Sequence, residues 1–212
     1  MAFTPTLYTP RLTLRPFVQA DAPRVQELAG DARIAATTAA IPHPYPDGLA
    51  EEWIRSHTAL AQDGKQYNFA ITLAGTRTPG RENDWFDTGH VIGAVSLILS
   101  SDPAQGRAEL GYWIGVPYWN RGFATEASHA ALAFGFQRKE LRRILARHTA
   151  NNPASGRVLQ KLGMSHEGTL REHFCKGEQV FDLECYAILK EEWIRTRARH
   201  RFPALRAALQ AV

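Results

Sequence analysis

The sequence predicts an α/β fold of the α+β kind, in which strands and helices follow one another within one main domain. Segments with alternating apolar residues, typical of strands, are interspersed with segments whose apolar residues recur every three or four positions, as in amphipathic helices. The chain has 212 residues, 44% of them hydrophobic, which is enough to bury a core within a single domain. We assign residues 1–194 to this domain and interpret residues 195–212 as a basic C-terminal tail, predicted to be helical.

The first half of the chain contains three predicted strands and two predicted helices. Apolar residues alternate, as expected of strands, in residues 11–17, 67–73 and 91–99. Helical spacing occurs in residues 21–29 and 50–61. Asp21 is a suitable N-cap for the first helix, and Gly64 provides a stop for the second. Between the two helices, the three prolines of residues 41–48 forbid a regular helix.

The second half continues the alternation. A predicted strand at residues 107–116 ends before Pro117 and leads, through Gly122, into an alanine-rich predicted helix. A further strand is predicted at residues 143–148. It is followed by a helix at residues 152–163, which opens with an Asn-Pro pair typical of helix starts and closes on glycine.

The strand at residues 107–116 has two unlike faces. Gly111 and Gly115 share one face with Glu109 and Trp113. Glycine weakens a purely structural strand, so these two positions indicate a bulge or the close approach of another molecule's backbone.

The corner before the alanine-rich helix is a candidate anion site. A helix start leaves backbone N–H groups without intrahelical partners and carries partial positive charge, so a glycine turn at Gly122 can receive a phosphate. The alternative is a tight turn that needs glycine only for its geometry. The spacing matches neither GxxxxGK[ST] nor a GxGxxG that opens a helix after a strand, which excludes the common nucleotide loops.

Asn152 allows two interpretations. As an N-cap it needs no further function. A cap uses its side-chain oxygen, however, so the amide N–H groups of Asn152 would remain available to a ligand.

Five segments together resemble the GCN5-related N-acetyltransferase (GNAT) superfamily, in its branch similar to the ribosomal-protein N-acetyltransferases RimJ and RimL. The two most specific are YWNRGFATEA and NPASGRVLQKLGM; TPRLTLRPFVQADA, AELGYWIG and EGTLREHFCKGEQVFDLECYAILKEEW agree in order and spacing. The family's pyrophosphate motif usually begins with Gln or Arg, where this sequence has Trp119. The resemblance implies a mixed sheet of about seven strands with helices on both faces, splayed between the strands ending near Val116 and Thr149, with acetyl-CoA in the splay.

The resemblance also implies which residues contact acetyl-CoA. The cofactor would lie along Trp113, Ile114 and Val116, and its pyrophosphate on the backbone N–H groups of the turn. The full implied set is Trp113, Ile114, Val116, Arg121, Gly122, Phe123, Ala124, Thr125, Asn152 and Ser155. No metal is implied.

The implied chemistry is direct transfer of the acetyl group to an amine. Ser155 matches the family's Asn-x-x-Ser motif and would donate a hydrogen bond to the departing thiolate; it could equally be an ordinary residue of a first helical turn. Glu109 matches the acidic position used as a base, directly or through water, or it only orients the amine. His43 and Tyr45, in the proline-rich segment, are weaker candidates for the acceptor pocket.

The acceptor is predicted to be the α-amine of a peptide or protein, a ribosomal protein being one candidate, because Glu109 is the only base that the motifs supply. A small-molecule amine (polyamine, amino acid or antibiotic) and a non-catalytic acyl-CoA-binding regulator are the alternatives. A homodimer is expected to be possible, as in many family members.

Composition narrows the remaining possibilities. We expect a cytoplasmic protein without membrane contact, since we find neither a signal-like start nor eighteen apolar residues in succession. A net charge of +4 disfavours a dedicated nucleic-acid binder, although the arginines of the tail leave a ribosome or RNA contact as an alternative to a solvated tail. Cys175 and Cys185 are predicted to be reduced and unbridged.

Overall fold

The computed structural model of the chain describes residues 3–74, 89–199 and 206–207. In this part of the chain, nine strands form one sheet and six α-helices pack on it. The strands are β1 (Leu7–Tyr8), β2 (Leu12–Arg15), β3 (Gln66–Leu73), β4 (Val91–Leu99), β5 (Arg107–Ile114), β6 (Arg143–Thr149), β7 (Ser165–Lys176), β8 (Gln179–Leu189) and β9 (Arg206–Ala207). The helices are α1 (Ala22–Ala29), α2 (Ala32–Thr37), α3 (Leu49–Gln62), α4 (Phe123–Arg138), α5 (Pro153–Lys161) and α6 (Lys190–Arg199).

The sheet is mixed and has the order β7-β8-β6-β5-β4-β3-β2-β1-β9. The β5–β6 pair is parallel, and the other neighbours are antiparallel. Two of the strands, β1 and β9, have only two residues each, and the seven longer strands carry the fold. The predicted α/β class with a mixed sheet is therefore confirmed; about seven strands were predicted, and β1 and β9 are short additions to the seven longer ones.

The core lies in two layers, one on each face of the sheet. On one face, α4 and α5 cover the larger cluster, which includes Leu132, Phe136 and Leu159. On the other face, α1 and α3 cover a smaller cluster that includes Val25 and Ile54. Alternation along β5 explains the division, because successive side chains of a strand point to opposite faces.

The hairpin of β7 and β8 is longer than its neighbours. The pairing of β6 with β8 stops at Leu183, so the tip of the hairpin extends beyond the end of β6. The turn consists of Gly177 and Glu178. Position Gly177 has φ +58°, in the left-handed region that favours glycine, which explains why the turn is centred there.

Several predicted boundaries need correction. Helix α2 was not predicted; Asp31 caps it by accepting a hydrogen bond from the Arg33 backbone N–H. The predicted strand at residues 107–116 ends at Ile114, because Val116–Tyr118 form a short 3₁₀ turn. Residues 75–88, between the strands predicted at residues 67–73 and 91–99, lie outside the described residues.

The tail matches the prediction only in part. Its described helical portion belongs to α6, which starts before residue 195 and ends at Arg199. Arg206–Ala207 form β9 instead of helix and pair with β1. The sequence gives a reason, since Pro203 is incompatible with a helix interior. Residues 200–205 and 208–212 lie outside the described part of the chain.

Candidate active site

A gap opens in the sheet between β5 and β6. Their parallel pairing covers Arg107 to Glu109 and ends there. Beyond that point β5 continues along β4 as far as Ile114, while β6 continues along β8 as far as Thr149. The two strands therefore diverge, and the edge of β5 beyond Glu109 faces the gap.

The start of α4 forms the predicted corner next to this gap. Gly122 is the N-cap and has φ +79°, a conformation that L side chains rarely adopt. A Cβ at this position would meet a single atom within 4 Å, the Arg11 Nη2 at 3.5 Å. The outer side of the corner is thus open, so a phosphate could approach the backbone N–H groups of residues 121–125. The residues present fit the pyrophosphate of acetyl-CoA.

Two residues that the sequence analysis did not select brace this corner. Glu126 accepts hydrogen bonds from the Arg11 backbone N–H at 2.9 Å, from Arg11 Nε at 2.6 Å and from the Thr9 hydroxyl at 2.7 Å. Arg11 Nη1 in turn donates to the Arg121 carbonyl at 3.0 Å. The guanidinium of Arg11 also lies over the Phe123 ring, 4.9 Å from its centroid. The β1–β2 turn therefore fixes the loop that enters α4 and places a cation beside it.

Ser155 lies in the first turn of α5 and contacts β5. Its Oγ is 2.7 Å from the Tyr112 Oη, and the Tyr112 hydroxyl also lies 3.3 Å from the Ser155 carbonyl oxygen. Burial raises the pKa of Tyr112 to about 12, partly offset by the hydrogen bond to Ser155. Tyr112 therefore stays protonated at neutral pH and can donate a hydrogen bond. Tyr112 was not selected as a candidate from the sequence.

Asn152 is the N-cap of α5, as predicted. Its Oδ1 accepts a hydrogen bond from the Ser155 backbone N–H at 3.1 Å. The expectation that its amide N–H groups remain available is wrong in part, because Nδ2 donates to the Thr37 carbonyl at 2.9 Å. The carbonyls at the end of α2 need donors, and Asn152 supplies one of them. Asn152 thereby joins α2 to the helix that carries Ser155.

Glu109 stands where β5 and β6 part. Both of its carboxylate oxygens accept hydrogen bonds from Arg147, at 3.0 Å from Nε and 2.7 Å from Nη2. About a third of each side chain is exposed. The pairing raises the pKa of Arg147, chiefly through the hydrogen bond from its guanidinium to Glu109. Each Glu109 oxygen keeps a second acceptor position for an ammonium or a water.

Glu109 and Tyr112 belong to different faces of β5. They are three positions apart, which amounts to roughly 10 Å along a strand. The Glu109 side chain therefore lies on the other face of the sheet from the Tyr112–Ser155 pair.

Trp119, which replaces the family's usual Gln or Arg, contacts the end of β5. Its indole Nε1 donates to the Ile114 carbonyl at 2.5 Å. Ile114 is buried in the larger core cluster, whereas the Trp113 side chain packs against the smaller cluster on the opposite face. Val116 begins the 3₁₀ turn that follows. The backbone of this stretch therefore lies at the edge of the gap, between the two core layers.

Only one of the two glycines of the β5 region has a different cause from the one predicted. A Cβ at Gly115 would lie 2.9 Å from Leu28 Cδ2, and one at Gly111 would lie 3.2 Å from Ser96 Oγ. Their neighbours are thus side chains of α1 and β4. The protein's own packing accounts for Gly115, whereas for Gly111, whose one neighbour is a serine hydroxyl, the close approach of another molecule stays a prediction.

The two weaker candidates in the proline-rich segment differ in their surroundings. His43 is exposed. Tyr45 is half-buried against the smaller core cluster, its carbonyl accepts a hydrogen bond from Gln26 Nε2 at 3.2 Å, and burial raises its pKa. Tyr45 is therefore held in place by packing against the smaller core cluster, whereas His43 lies at the surface.

Other features predicted from the sequence can be compared directly. Both cysteines are unbridged, as predicted, with Cys175 exposed and Cys185 partly buried. In the described ranges, no group of three or more His, Cys, Asp or Glu side chains could hold a metal ion. Of the helices that the structure describes, none is long and apolar enough to cross a membrane.

Comparison with known proteins decides the family. The model of an acetyltransferase (GNAT) domain matches residues 11–165. The chain belongs to the GNAT acetyltransferase family. It is an acetyl-CoA-dependent N-acetyltransferase, and the resemblance stated from its motifs is confirmed.

Relatives of this GNAT enzyme include one of nearly equal length. The uncharacterised N-acetyltransferase p20 of Bacillus licheniformis is 30% identical over 189 residues, which make up 89% of this chain and 98% of that protein. A ribosomal-protein-serine acetyltransferase of Escherichia coli is 28% identical over 102 residues, 48% of this chain and 56% of that protein. The RimJ/RimL-like character of the sequence is thus found in named relatives.

Solved structures agree with the fold. A GNAT-family acetyltransferase from Bacillus anthracis superposes with a TM-score of 0.72 at 26% identity, covering 88% of this chain and 99% of that one. A RimL ribosomal L7/L12 α-N-protein acetyltransferase in complex with coenzyme A gives the same TM-score at 17% identity, covering 85% and 95%. The second likeness concerns the fold alone.

Proposed function

We propose that this GNAT enzyme acetylates the α-amine of a peptide or protein N-terminus. The observation that carries the proposal is the gap between β5 and β6, with a hydroxyl pair on one side and the ion-paired Glu109 on the other. This arrangement supplies hydrogen-bond donors for a leaving thiolate but no strong base. It therefore suits an amine that is already partly neutral.

The ease of deprotonation separates the candidate amines. An α-amine with a pKa near 7.8 is on the order of 10% neutral at pH 7, whereas a lysine ε-amine with a pKa near 10.4 is about 0.04% neutral. The difference corresponds to about 3.5 kcal/mol. A site whose candidate base is a carboxylate held by Arg147 would do little to remove that difference.

Residues of the corner would hold the pyrophosphate of acetyl-CoA through the backbone N–H groups from Arg121 to Thr125. The open outer side of Gly122 supports this assignment. Arg11 Nη2 lies at the same place, 3.5 Å from the position of a Gly122 Cβ, with its charge paired with Glu126. The backbone of Ile114 would contact the cofactor, next to the indole of Trp119.

Ser155 and Tyr112 would stabilise the thiolate as it leaves. A thiol has an ordinary pKa near 8.5, and that of Tyr112 is about 12. Complete proton transfer from Tyr112 to the thiolate would cost about 5 kcal/mol, which makes it unfavourable. The pair is therefore assigned the role of hydrogen-bond donor in the transition state, with Tyr112 orienting the Ser155 hydroxyl.

We assign to Glu109 the role of binding the acceptor amine and receiving its proton. Its remaining acceptor positions can bind the ammonium form and can then receive a proton directly or through water. Arg147 neutralises the Glu109 charge, so the pair offers little net attraction to a polycation. This supports a peptide α-amine over a polyamine.

The names of relatives include both kinds of acceptor, proteins and small amines, and do not decide between them. They include the E. coli ribosomal-protein-serine and uS5-alanine acetyltransferases, and among fold neighbours a spermidine N-acetyltransferase. A ribosomal protein is therefore one candidate acceptor.

A thiol-release screen tests the proposal. The enzyme is incubated with acetyl-CoA and, in turn, with peptides bearing varied α-amines, amino acids, polyamines and aminoglycosides. Turnover of at least one peptide above every other class supports the proposal. Turnover restricted to small amines would replace it with the small-molecule alternative, and CoA binding without thiol release with any amine would favour a non-catalytic regulator.

A further inference from the structure

Lys176 makes an unusual set of contacts at the tip of the β7–β8 hairpin. Its ammonium donates hydrogen bonds to three backbone carbonyls: Ala35 at 2.5 Å, Thr38 at 2.8 Å and Ile41 at 2.6 Å. All three belong to one segment, more than 130 residues earlier in the chain. An ammonium has three donors, and each of these carbonyls takes one of them.

The segment bound in this way is the last turn of α2 and the residues that lead into the proline-rich stretch. The Ala35 carbonyl lies in the last turn of α2, where partial negative charge accumulates, and it also accepts a hydrogen bond from the Thr38 backbone N–H at 3.4 Å. A lysine ammonium matches that charge, and such charge-assisted bonds are shorter and stronger than neutral ones. Burial lowers the pKa of Lys176, so the three carbonyls replace water that the ammonium has lost.

A second hydrogen bond, from another element, holds the same segment. Asn152 Nδ2 donates to the Thr37 carbonyl at 2.9 Å, between the carbonyls that Lys176 binds. Asn152 caps α5, which carries Ser155. Residues 35–41 are thus fixed between the hairpin tip and the helix of the reaction site.

We propose that Lys176 is a positioning residue for the acceptor. By holding residues 35–41 against the hairpin, it sets one wall of the space through which the amine reaches the gap between β5 and β6. Lys176 acts through that wall and touches neither the acceptor nor the acetyl group. The proposal rests on the proposed function only for the identity of the acceptor.

The test compares Lys176→Met with Lys65→Met. Lys65 is a surface lysine whose ammonium pairs with Asp63 at 2.8 Å, far along the chain from the site residues, so its replacement removes the same charge without the tether. For Lys176→Met we expect the KM of the best acceptor from the screen to rise at least tenfold. The Kd of CoA should stay within about twofold and kcat within about threefold. Lys176→Arg, which keeps charge and donors, should recover at least part of the acceptor KM.

Hydrogen exchange provides a readout that needs no acceptor. Peptides covering residues 33–42 should exchange at least tenfold faster in Lys176→Met than in Lys65→Met, while peptides from α4 stay unchanged. If the wild-type enzyme acetylates no peptide, the proposed function fails but the tether is still judged by exchange. Should Lys176→Met not fold, Lys176→Gln is measured in the same way.

Two results would overturn the proposal. One is an acceptor KM in Lys176→Met equal to that of Lys65→Met. The other is unchanged exchange over residues 33–42.

Discussion

Tyr112 and Ser155 are joined hydroxyl to hydroxyl, 2.7 Å apart, between the strand on one side of the gap and the helix next to it. Tyr112 is held by β5, and Ser155 is held by the first turn of α5, whose N-cap Asn152 fixes the Ser155 backbone. Each hydroxyl therefore limits the rotation of the other. A pre-oriented donor stabilises developing charge better than a freely rotating one.

Removing either hydroxyl should slow turnover more than it weakens binding. We expect Ser155→Ala to lower kcat by roughly ten- to a thousandfold and to leave CoA affinity within a few fold, because the interaction strengthens only in the transition state. Tyr112→Phe should have a similar but smaller effect. Since the two hydroxyls act as a unit, the double variant should be less impaired than the product of the single effects.

Steady-state kinetics and calorimetry on the three variants check this expectation. Equal losses in CoA affinity and kcat for Ser155→Ala would make Ser155 a cofactor anchor instead.

The corner at Gly122 should control CoA binding. Gly122→Val would place a side chain on the open side of the corner, and we expect CoA affinity to fall at least tenfold, about 1.4 kcal/mol. Gly48 is a matched control, because it caps α3 with φ +80° and a Cβ there would also meet open space. Gly48→Val carries similar backbone strain and should leave CoA affinity nearly unchanged. Calorimetry that finds the same affinity in both folded variants would contradict the pyrophosphate assignment.

Much of the fold and part of the site could be predicted because their signals are local. The Gly122 corner and the Asn152 cap each lie within a few residues of the helix they start, and both were predicted. The partner of Tyr112 could not be predicted, since it depends on where β5 and β6 separate.

The residues that were missed act over long sequence distances. Arg11 reaches a glutamate 115 positions later, and Lys176 reaches a helix end 141 positions earlier. Such pairs have no periodicity for a sequence pattern to reveal. The TPRLTLRPF run contained Arg11 as part of the family resemblance but gave no indication of its partner. Gly115 was misinterpreted for a related reason, since Leu28 of α1 fills the space beside it.

The role of Glu109 should appear in the pH dependence. With a peptide acceptor, we expect activity to rise with pH and to level off near pH 8, as the α-amine becomes neutral. Glu109→Gln should cost less at pH 9 than at pH 7, because an amine that is already neutral no longer needs a proton acceptor. The measurement is kcat/KM for both proteins across this range. An equal loss at both pH values would assign Glu109 to orientation of the amine alone.

His57 should make the fold sensitive to acid. It is buried against Phe17 and Trp53, and burial lowers its pKa to about 4 from an ordinary 6.5. Between pH 6.5 and pH 4, His57 therefore binds a proton in the unfolded chain but not in the folded chain. Stability should be unaffected above pH 6.5 and should fall by up to about 3 kcal/mol as pH drops from 6.5 to 4.

Urea unfolding at several pH values measures how the free energy of unfolding changes with pH. His57→Leu should reduce this change between pH 6.5 and pH 4, whereas replacement of the exposed His173 by Leu should not. An unchanged pH dependence in His57→Leu would show that other groups cause the acid sensitivity.

The most direct measurement of the central claim locates the acetyl group itself. A peptide with one unblocked α-amine and one internal lysine is incubated with the enzyme and acetyl-CoA at pH 7.5, and the product is sequenced by mass spectrometry. We expect acetylation at the α-amine in large excess over the lysine, reduced at least tenfold in Ser155→Ala. Acetylation of the lysine with an untouched α-amine, at a rate that keeps climbing past pH 9.5, would contradict it.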